Sequence, residues 1–388
     1  MKPILNERLC ANGVIVFGAG VVGKSTMYML RNSGVSVTHC FDNDCNKWGM
    51  KLFGSLVCEM PRLTGKDMPV LVAVEDSKLK REIREQCLKL GYEQIYEIDG
   101  TQLRWWIDCL PDREYLELQF YLRIGKKLDI NYPKTFNEKL QWLKLYDRNP
   151  QYIRMTDKIE AKKYVAEMIG EQYIIPTLGK WDKFEEIDFR NLPNEFVLKC
   201  THDSGSATII TDKERIDYQF LKQKYEKALC TNHYNMGREW NYKDVKPRIM
   251  AEKYIGRANR FKGDIVDYKL MCFNGKVKCS FTCTKRFLGR DGLRVTFYDT
   301  DWRKMPFERH YASDNEEVPK PESYDEMVRL AERLAEGIPF VRIDFYEMGK
   351  KPYFGEITLY PGSGFEEFTP EEWDRKLGDW VQLPELRR

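Results

Sequence analysis

The stretch Val341-Arg342-Ile343-Asp344-Phe345-Tyr346, then a turn at Met348-Gly349-Lys350, then Tyr353-Phe354-Gly355-Glu356-Ile357-Thr358, decides how the C-terminal part of this 388-residue chain folds. Both runs alternate, which is the period of a β-strand, because successive side chains of a strand point to opposite faces. Arg342, Asp344 and Tyr346 therefore share one face, and Glu356 and Thr358 share a face of the partner strand. If the hairpin pairs in the ordinary way, Asp344 and Glu356 can face each other. Two carboxylates side by side, with an arginine near them, suit a hard divalent cation that bridges phosphate oxygens. Taken alone, the same pattern also describes the solvated outer face of an edge hairpin.

Upstream of this hairpin and into its first strand the alternation stays antiparallel in style, at Glu195–Cys200, Ala207–Thr211, Arg248–Ile255, Val266–Phe273, Lys276–Thr284 and Phe340–Tyr346. Asn274-Gly275, flanked by apolar residues, is the strongest short-range hairpin signal, since both residues tolerate the left-handed conformation such a turn needs. Helical patterns at Lys158–Met168 and Ser323–Glu336 flank these strands, and Pro133–Tyr146 reads as a helix with tryptophan and leucine on one face. These signals predict an α+β unit.

Towards the N-terminus the pattern changes to alternating strands and helices. Gly13–Phe17, Val35–Phe41, Pro69–Val74 and Gln94–Ile98 read as strands, with helices at Lys24–Ser33 and Asp76–Gly91. Repeated β-α units of this kind imply a parallel sheet of Rossmann type. The expected division is 1–112 and 113–388, with a helical connector over about 101–130. Gly18-Ala19-Gly20-Val21-Val22-Gly23 is a GxGxxG between strand and helix, and Asp42 ends the next strand. That spacing suits a nucleotide or nucleotide-sugar site, with phosphate at the helix N-terminus and Asp42 near a ribose hydroxyl. The same glycines also serve if the turn only packs helix on sheet. A Walker A match through Gly18, Gly23, Lys24 and Ser25 is discounted because no partner aspartate strand follows. A calcium loop at Asp42-Asn43-Asp44-Cys45-Asn46 fails because Lys47 and Phe53 stand where glycine and glutamate are required.

Apolar residues make up 42% of the chain and aromatics 13%, enough for packed cores, while 32% charged residues leave a net +3. That near-balance argues against a dedicated nucleic-acid binder. No run approaches the roughly 18 apolar residues of a membrane-spanning helix. Met1 to Asn12 lacks a basic start followed by an apolar run, so no signal peptide is visible. The 11 cysteines are scattered and the 4 histidines dispersed, which fits reduced buried thiols and disfavours zinc. A cytoplasmic protein is expected, and homo-oligomerisation stays open.

The C-terminal hairpin resembles the ATP-grasp superfamily, in which R-x-D is followed by E-x-[N/T]-x-x-P-G. Here these are Arg342-Ile343-Asp344 and Glu356-Ile357-Thr358-Leu359-Tyr360-Pro361-Gly362. The resemblance implies that Asp344 and Glu356 bind magnesium, with Thr358 in the third, more often asparagine, position, and that Arg342 contacts the transferring phosphoryl group. It makes Lys158 and Lys199 the ATP-binding lysines and His202-Asp203-Ser204-Gly205-Ser206 the loop over the phosphates. Glu252, Lys253, Tyr254 and Ile255 match the linker that holds adenine, and Asp267 with Lys269 falls where a ribose-contacting carboxylate is expected. Over Ile130 to Gly378 the sequence is most similar to the TupA-like family of teichuronopeptide biosynthesis. Pro133-Lys134-Thr135-Phe136-Asn137-Glu138-Lys139, Asp267 to Gly275, Phe297 to Trp302 and Gly355 to Phe365 carry that likeness.

The resemblance implies an ATP- and Mg2+-dependent carboxylate–amine ligase working through an acyl phosphate, with Lys158, Lys199 and Arg342 stabilising the phosphoryl group. The implied carboxylate is a uronic acid, free or nucleotide-linked, in surface or capsular polysaccharide synthesis, and the acceptor an amino acid or small amine. A phosphotransferase using the same ATP site, an NAD-dependent oxidoreductase led by the N-terminal unit, and a non-catalytic scaffold are the alternatives.

Overall fold

The computed structural model describes residues 13–61, 68–256, 260–261, 264–286 and 289–385. The absence of a signal sequence, read from residues 1–12, therefore lies outside the described residues. Contacts divide the chain into two compact units, Met1–Lys127 and Leu128–Arg388.

The first unit contains β1 (Val14–Phe17), α1 (Val21–Asn32), β2 (Val37–Phe41), β3 (Lys51–Leu52), β4 (Ser55–Cys58), β5 (Val70–Val72), α2 (Ser77–Lys89), β6 (Ile95–Glu97), α3 (Gly100–Asp108) and α4 (Asp112–Ile124). Its sheet has the order β3-β4-β2-β1-β5-β6, parallel throughout except for the β3–β4 hairpin. Every side chain of β1 is buried. Val14 and Val16 pack with Met27 and Leu30 of α1 and Leu103 of α3, whereas Ile15 and Phe17 pack with Ile83 and Cys87 of α2. Helices thus cover both faces, which is why these strands read as continuous apolar runs.

Two features differ from the sequence reading. Helix α1 begins at Val21, with Gly20 as its N-cap, so Lys24 already bonds back to the Gly20 carbonyl at 2.9 Å. The helix α4, read as part of a connector, belongs to the first unit: the Tyr28 hydroxyl donates to the Glu114 carbonyl at 3.2 Å and Tyr121 packs on Phe53 at 4.5 Å. The division therefore falls after Lys127 instead of after 112.

The second unit opens with α5 (Phe136–Tyr146), α6 (Gln151–Thr156), α7 (Lys158–Ile169), β7 (Thr177–Trp181), β8 (Phe196–Cys200), β9 (Thr208–Ile210), α8 (Tyr218–Leu229), α9 (Tyr234–Gly237) and β10 (Ile249–Lys253). It continues with β11 (Arg260–Phe261), β12 (Asp264–Ile265), β13 (Tyr268–Phe273), β14 (Lys276–Thr284), α10 (Gly289–Gly292), β15 (Arg294–Tyr298) and β16 (Glu308–Arg309). The last elements are α11 (Tyr324–Leu334), β17 (Phe340–Met348), β18 (Lys351–Thr358), β19 (Phe368–Thr369) and α12 (Glu372–Trp380). Two antiparallel sheets organise this unit, in the orders β7-β10-β8-β9 and β15-β14-β13-β17-β18.

Local chemistry explains the boundaries. Thr135 and Glu138 form a capping box at the start of α5. The Asp157 carboxylate accepts from Ile159 and Glu160 N–H at 2.9 and 3.3 Å, starting α7 with Lys158 in its first turn. Asn274 and Gly275 both take positive φ, 49° and 79°, so the Asn-Gly hairpin forms where the sequence puts it. Under the smaller sheet, Phe196, Leu198 and Cys200 of β8 pack with Leu221 and Tyr225 of α8, leaving Lys199 on the opposite face.

Candidate active site

The β17–β18 register sets Asp344 opposite Glu356 and Arg342 opposite Thr358, and β13 adds Lys269 opposite Asp344. Strand alternation thus brings Arg342, Asp344, Glu356, Thr358 and Lys269 to one face of the larger sheet. Lys158, Lys199, Lys269, Asp344 and Glu356 all line one cavity of about 170 Å³. The loop 203–207, Asp267, Tyr346 and Gly355 complete its wall.

Cations and carboxylates interlock on this face. Arg342 donates to both oxygens of Asp344, at 2.7 and 2.8 Å, and its Nη2 lies 3.6 Å from Glu356. Lys269 Nζ is 2.5 Å from an oxygen of Asp344 and 2.5 Å from one of Asp267. Arg286 donates to the other Asp267 oxygen. Burial opposes the charge on Lys269, yet Asp267 and Asp344 outweigh it and hold the ammonium above its ordinary value. Burial likewise opposes the charge on Asp267, but Lys269 and Arg286 keep its carboxyl well below the usual range.

The opposite wall repeats the arrangement. Glu252 takes Lys199 on one oxygen at 2.5 Å and Lys162 on the other at 2.8 Å. Burial pushes the Glu252 carboxyl up, but the two ammonium groups overcome it and bring it down to about 2. Lys158 donates to the Asp203 carbonyl and stands 3.9 Å from its carboxylate. Its pKa is lowered by burial, against the pull of Glu356 and Asp203. In the loop, Ser206 Oγ donates to Asp203 Oδ1 at 2.7 Å and accepts the Cys200 N–H at 2.8 Å. At the tip, Gly205 has φ 98° and open space where a Cβ would stand, so the backbone is bare towards the cavity.

Several expected residues stand elsewhere. His202 turns away from the cavity: its ring is buried and bonds the Ala228 carbonyl at 3.0 Å, because the chain leaving β8 folds down against α8 at that point. Glu252 spends both oxygens on lysines, and the Lys253 N–H is bonded to the Pro176 carbonyl at 3.0 Å. Lys253, Tyr254, Ile255 and Thr358 are not among the cavity's lining residues. The sequence reading missed Lys162, whose signal was available: it follows Lys158 by one helical turn on α7. Arg286 had none, since it follows the end of β14 in a segment without periodicity.

Asp344, Glu356 and Thr358 present hard oxygen donors on adjoining strands, a chemistry that fits magnesium completed by phosphate and water oxygens. Among the described residues no three His, Cys, Asp or Glu side chains gather into a metal cluster, so the protein alone supplies a partial shell.

In the first unit, Gly18, Gly20, Asp42, Lys47 and Glu75 line a separate cavity of about 340 Å³. Gly18 and Gly23 have packing reasons: a Cβ would come within 2.5 Å of the Ala73 carbonyl and 1.7 Å of the Gly18 carbonyl, respectively. At Gly20 a Cβ would meet nothing within 4 Å. Asp42 is engaged internally, accepting from Ala19 and Asp44 N–H at 2.7 and 2.8 Å and from Lys47 at 3.2 Å.

Among the described residues no helix is long and apolar enough to cross a membrane. A family model described as TupA-like ATPgrasp matches residues 138–382. Among solved structures, the chain is similar to D-alanine–D-alanine ligase from Bacillus anthracis complexed with ATP, at 13% identity and TM-score 0.33, covering 95% of this chain and 94% of that one. It is similar also to a RimK domain ATP-grasp protein from Sphaerobacter thermophilus, at 10% identity and TM-score 0.32, covering 95% and 98%. N5-carboxyaminoimidazole ribonucleotide synthetase from Thermus thermophilus matches at 10% identity and TM-score 0.30, covering 89% and 71%. None of the curated proteins matches the sequence.

Proposed function

The chain belongs to the TupA-like ATP-grasp family, and on that premise we propose that it joins a carboxylate to an amine at the expense of ATP. The observation that carries the reading is the facing pair Asp344 and Glu356, with Arg342 bridging them and Lys158 and Lys199 on the same cavity wall. Lys158, Lys199 and the loop 203–206 would hold the phosphates, and Asp267, on the wall of the same cavity, would face the nucleoside. Asp344 and Glu356 would hold magnesium, which supplies charge neutralisation at the phosphates.

A substrate carboxylate oxygen attacks the γ-phosphorus, the bond from that phosphorus to the β-bridging oxygen breaks, and ADP leaves. Arg342 and the two lysines stabilise the charge spread over the group in flight. The amine nitrogen then adds to the acyl carbon, the acyl–oxygen bond breaks, and phosphate departs as the nitrogen loses its proton. No side-chain nucleophile is needed. The carboxylate is assigned to a uronic acid of surface or capsular polysaccharide synthesis in the cytoplasm, and the acceptor to an amino acid or small amine. The cavity of the first unit is assigned to the nucleotide part of a nucleotide-linked sugar.

Hydroxylamine, offered as the amine with MgATP and a panel of uronates and nucleotide-uronates, tests the reading. Hydroxamate formed in step with ADP supports it. ADP release with a phosphorylated product and no hydroxamate assigns the protein to phosphotransfer instead, and absence of both overturns catalysis at this site.

A further inference from the structure

Lys199 does not stand alone on the cavity wall. Its ammonium is 2.5 Å from one oxygen of Glu252, and the other oxygen takes Lys162 at 2.8 Å. Of these three residues Lys199 lines the cavity, while Glu252 and Lys162 lie behind it, each 7% exposed. Helix α7 and strands β8 and β10 supply one of them each, so the trio forms when three separate elements close together. Lys162 is fixed by more than charge, because it also donates to the Ile175 carbonyl at 2.8 Å and to the Thr177 hydroxyl at 3.4 Å. Burial lowers the Lys162 ammonium, Glu252 pulls it back up and Lys199 pushes it down again, so two cations share one carboxylate. The trio therefore keeps a surplus positive charge, whereas Glu252 with Lys199 alone would be neutral. A buried carboxylate stripped of its partner is strongly destabilising, so Lys199 can leave Glu252 only if another cation stays.

We propose that Lys162 is a positioning residue for nucleotide binding: it stays on Glu252 so that Lys199 can turn from that carboxylate to the phosphates of ATP. Lys162 follows Lys158 by one helical turn but touches no ligand itself, and acts through Glu252 on Lys199. With Lys162 uncharged, Lys199 is left as the counter-ion of a buried carboxylate, and each phosphate contact is made against that attraction. The inference rests on the assignment of Lys199 to the phosphates. The plainer role for Lys162 is to tie α7 to β10 and to the chain entering β7. In that role its charge supports the fold and leaves nucleotide affinity untouched wherever the fold is intact.

Calorimetry on the full-length protein with Mg2+ and a non-hydrolysable ATP analogue separates the two. Lys162→Gln removes the charge while keeping a hydrogen-bond donor, and should weaken binding of the analogue about tenfold, the scale of one charge pair in a partly screened site. Lys162→Arg, which restores the charge, should recover most of that loss. In a Glu252→Gln background there is no carboxylate to cover, so adding Lys162→Gln should cost no further affinity. Such non-additivity marks residues that act through one another. Thermal midpoints check each fold. If Lys162→Gln fails to fold, Lys162→Met, of like length and without an added acceptor, takes its place, in sucrose to favour the compact state. Unchanged affinity in the uncharged Lys162 variant, or the same loss with Glu252 and with Glu252→Gln, overturns the proposal. Lys199→Met tests the underlying assignment on its own. It should weaken the analogue, and unchanged affinity there overturns the phosphate role of Lys199, a failure distinct from that of the Lys162 and Glu252 cycle.

Discussion

Lys269 Nζ sits 2.5 Å from Asp344, the aspartate that shares its face with Glu356, so a side-chain cation already neutralises a carboxylate proposed to hold magnesium. Lys269 binds Asp267 at the same distance, and Arg342 grips Asp344 from the other side. The free site is therefore balanced internally, and nucleotide and metal must enter by rearranging these pairs.

Removing that ammonium should expose the balance. Lys269→Met leaves Asp267 and Asp344 without their common partner, and the free protein should then bind Mn2+ at least about tenfold more tightly in the absence of nucleotide. An attraction of one or two kcal/mol at this range in a partly screened site is enough for that change. Electron paramagnetic resonance of unbound Mn2+ reads it directly. Unchanged binding would show that Lys269 does not compete with the metal.

Glu356→Gln and Asp344→Asn should both cut turnover by several orders of magnitude, a loss of about 3–4 kcal/mol or more for a single electrostatic stabiliser. They should differ in stability. Glu356 is partly exposed and touches Arg342 at 3.6 Å, so its variant should keep the wild-type melting temperature. Asp344 is buried between Arg342 and Lys269, and its variant should melt several degrees lower, since breaking a buried pair leaves a charge uncompensated. ADP release in saturating Mg2+ and thermal unfolding check the two halves; near-normal turnover by either variant removes the site assignment.

Glu252 predicts an acid-labile core. Its carboxyl falls from the ordinary 4.5 to about 2 in the folded chain, because Lys199 and Lys162 outweigh burial. A depressed carboxyl gives its full stabilisation above 4.5 and loses it as the pH drops towards 2, worth on the order of 3 kcal/mol. Denaturant unfolding between pH 6 and pH 3 should show a shallower loss of stability for Glu252→Gln than for wild type, on a lower baseline from the two unpaired lysines. Parallel curves for the two proteins would refute the assignment.

The glycine loop of the first unit separates packing from binding. Gly23→Ala places a Cβ 1.7 Å from the Gly18 carbonyl and should destabilise that unit, whereas Gly20→Val meets open space. If the loop receives a diphosphate, Gly20→Val should weaken binding of a UDP-uronate at least about tenfold while ATP binding stays unchanged. Calorimetry with both ligands decides, and wild-type binding of the UDP-uronate by Gly20→Val reduces the loop to a packing device.

Lys144 anchors the turn that follows Thr358. Its ammonium is buried and donates to the Gln141 side chain, the Gly237 carbonyl and both oxygens of Ser363, at 2.7 to 3.0 Å. Lys144→Met should cost about 3 kcal/mol by stranding these acceptors, read as a fall in the unfolding midpoint. A stability loss within experimental error would show that the turn is held by other contacts.

The sequence by itself determined the parts of this protein that rest on local periodicity. The alternation of Arg342, Asp344, Glu356 and Thr358 was enough to put them on adjoining strand faces, because side-chain direction in a strand repeats every second residue. The Asn274-Gly275 turn was equally legible, since it is decided by the conformational reach of a residue or two. Tertiary structure alone decided the pairing of charges across distance. Lys162 and Lys199 meet on Glu252, Lys269 joins Asp267 to Asp344, and Arg309 arrives over Phe281 from a different strand. It also turned His202 out of the site and drew α4 into the first unit. These outcomes depend on which buried ions find partners when separate segments close on one another, a sum over the whole fold that no window of sequence contains.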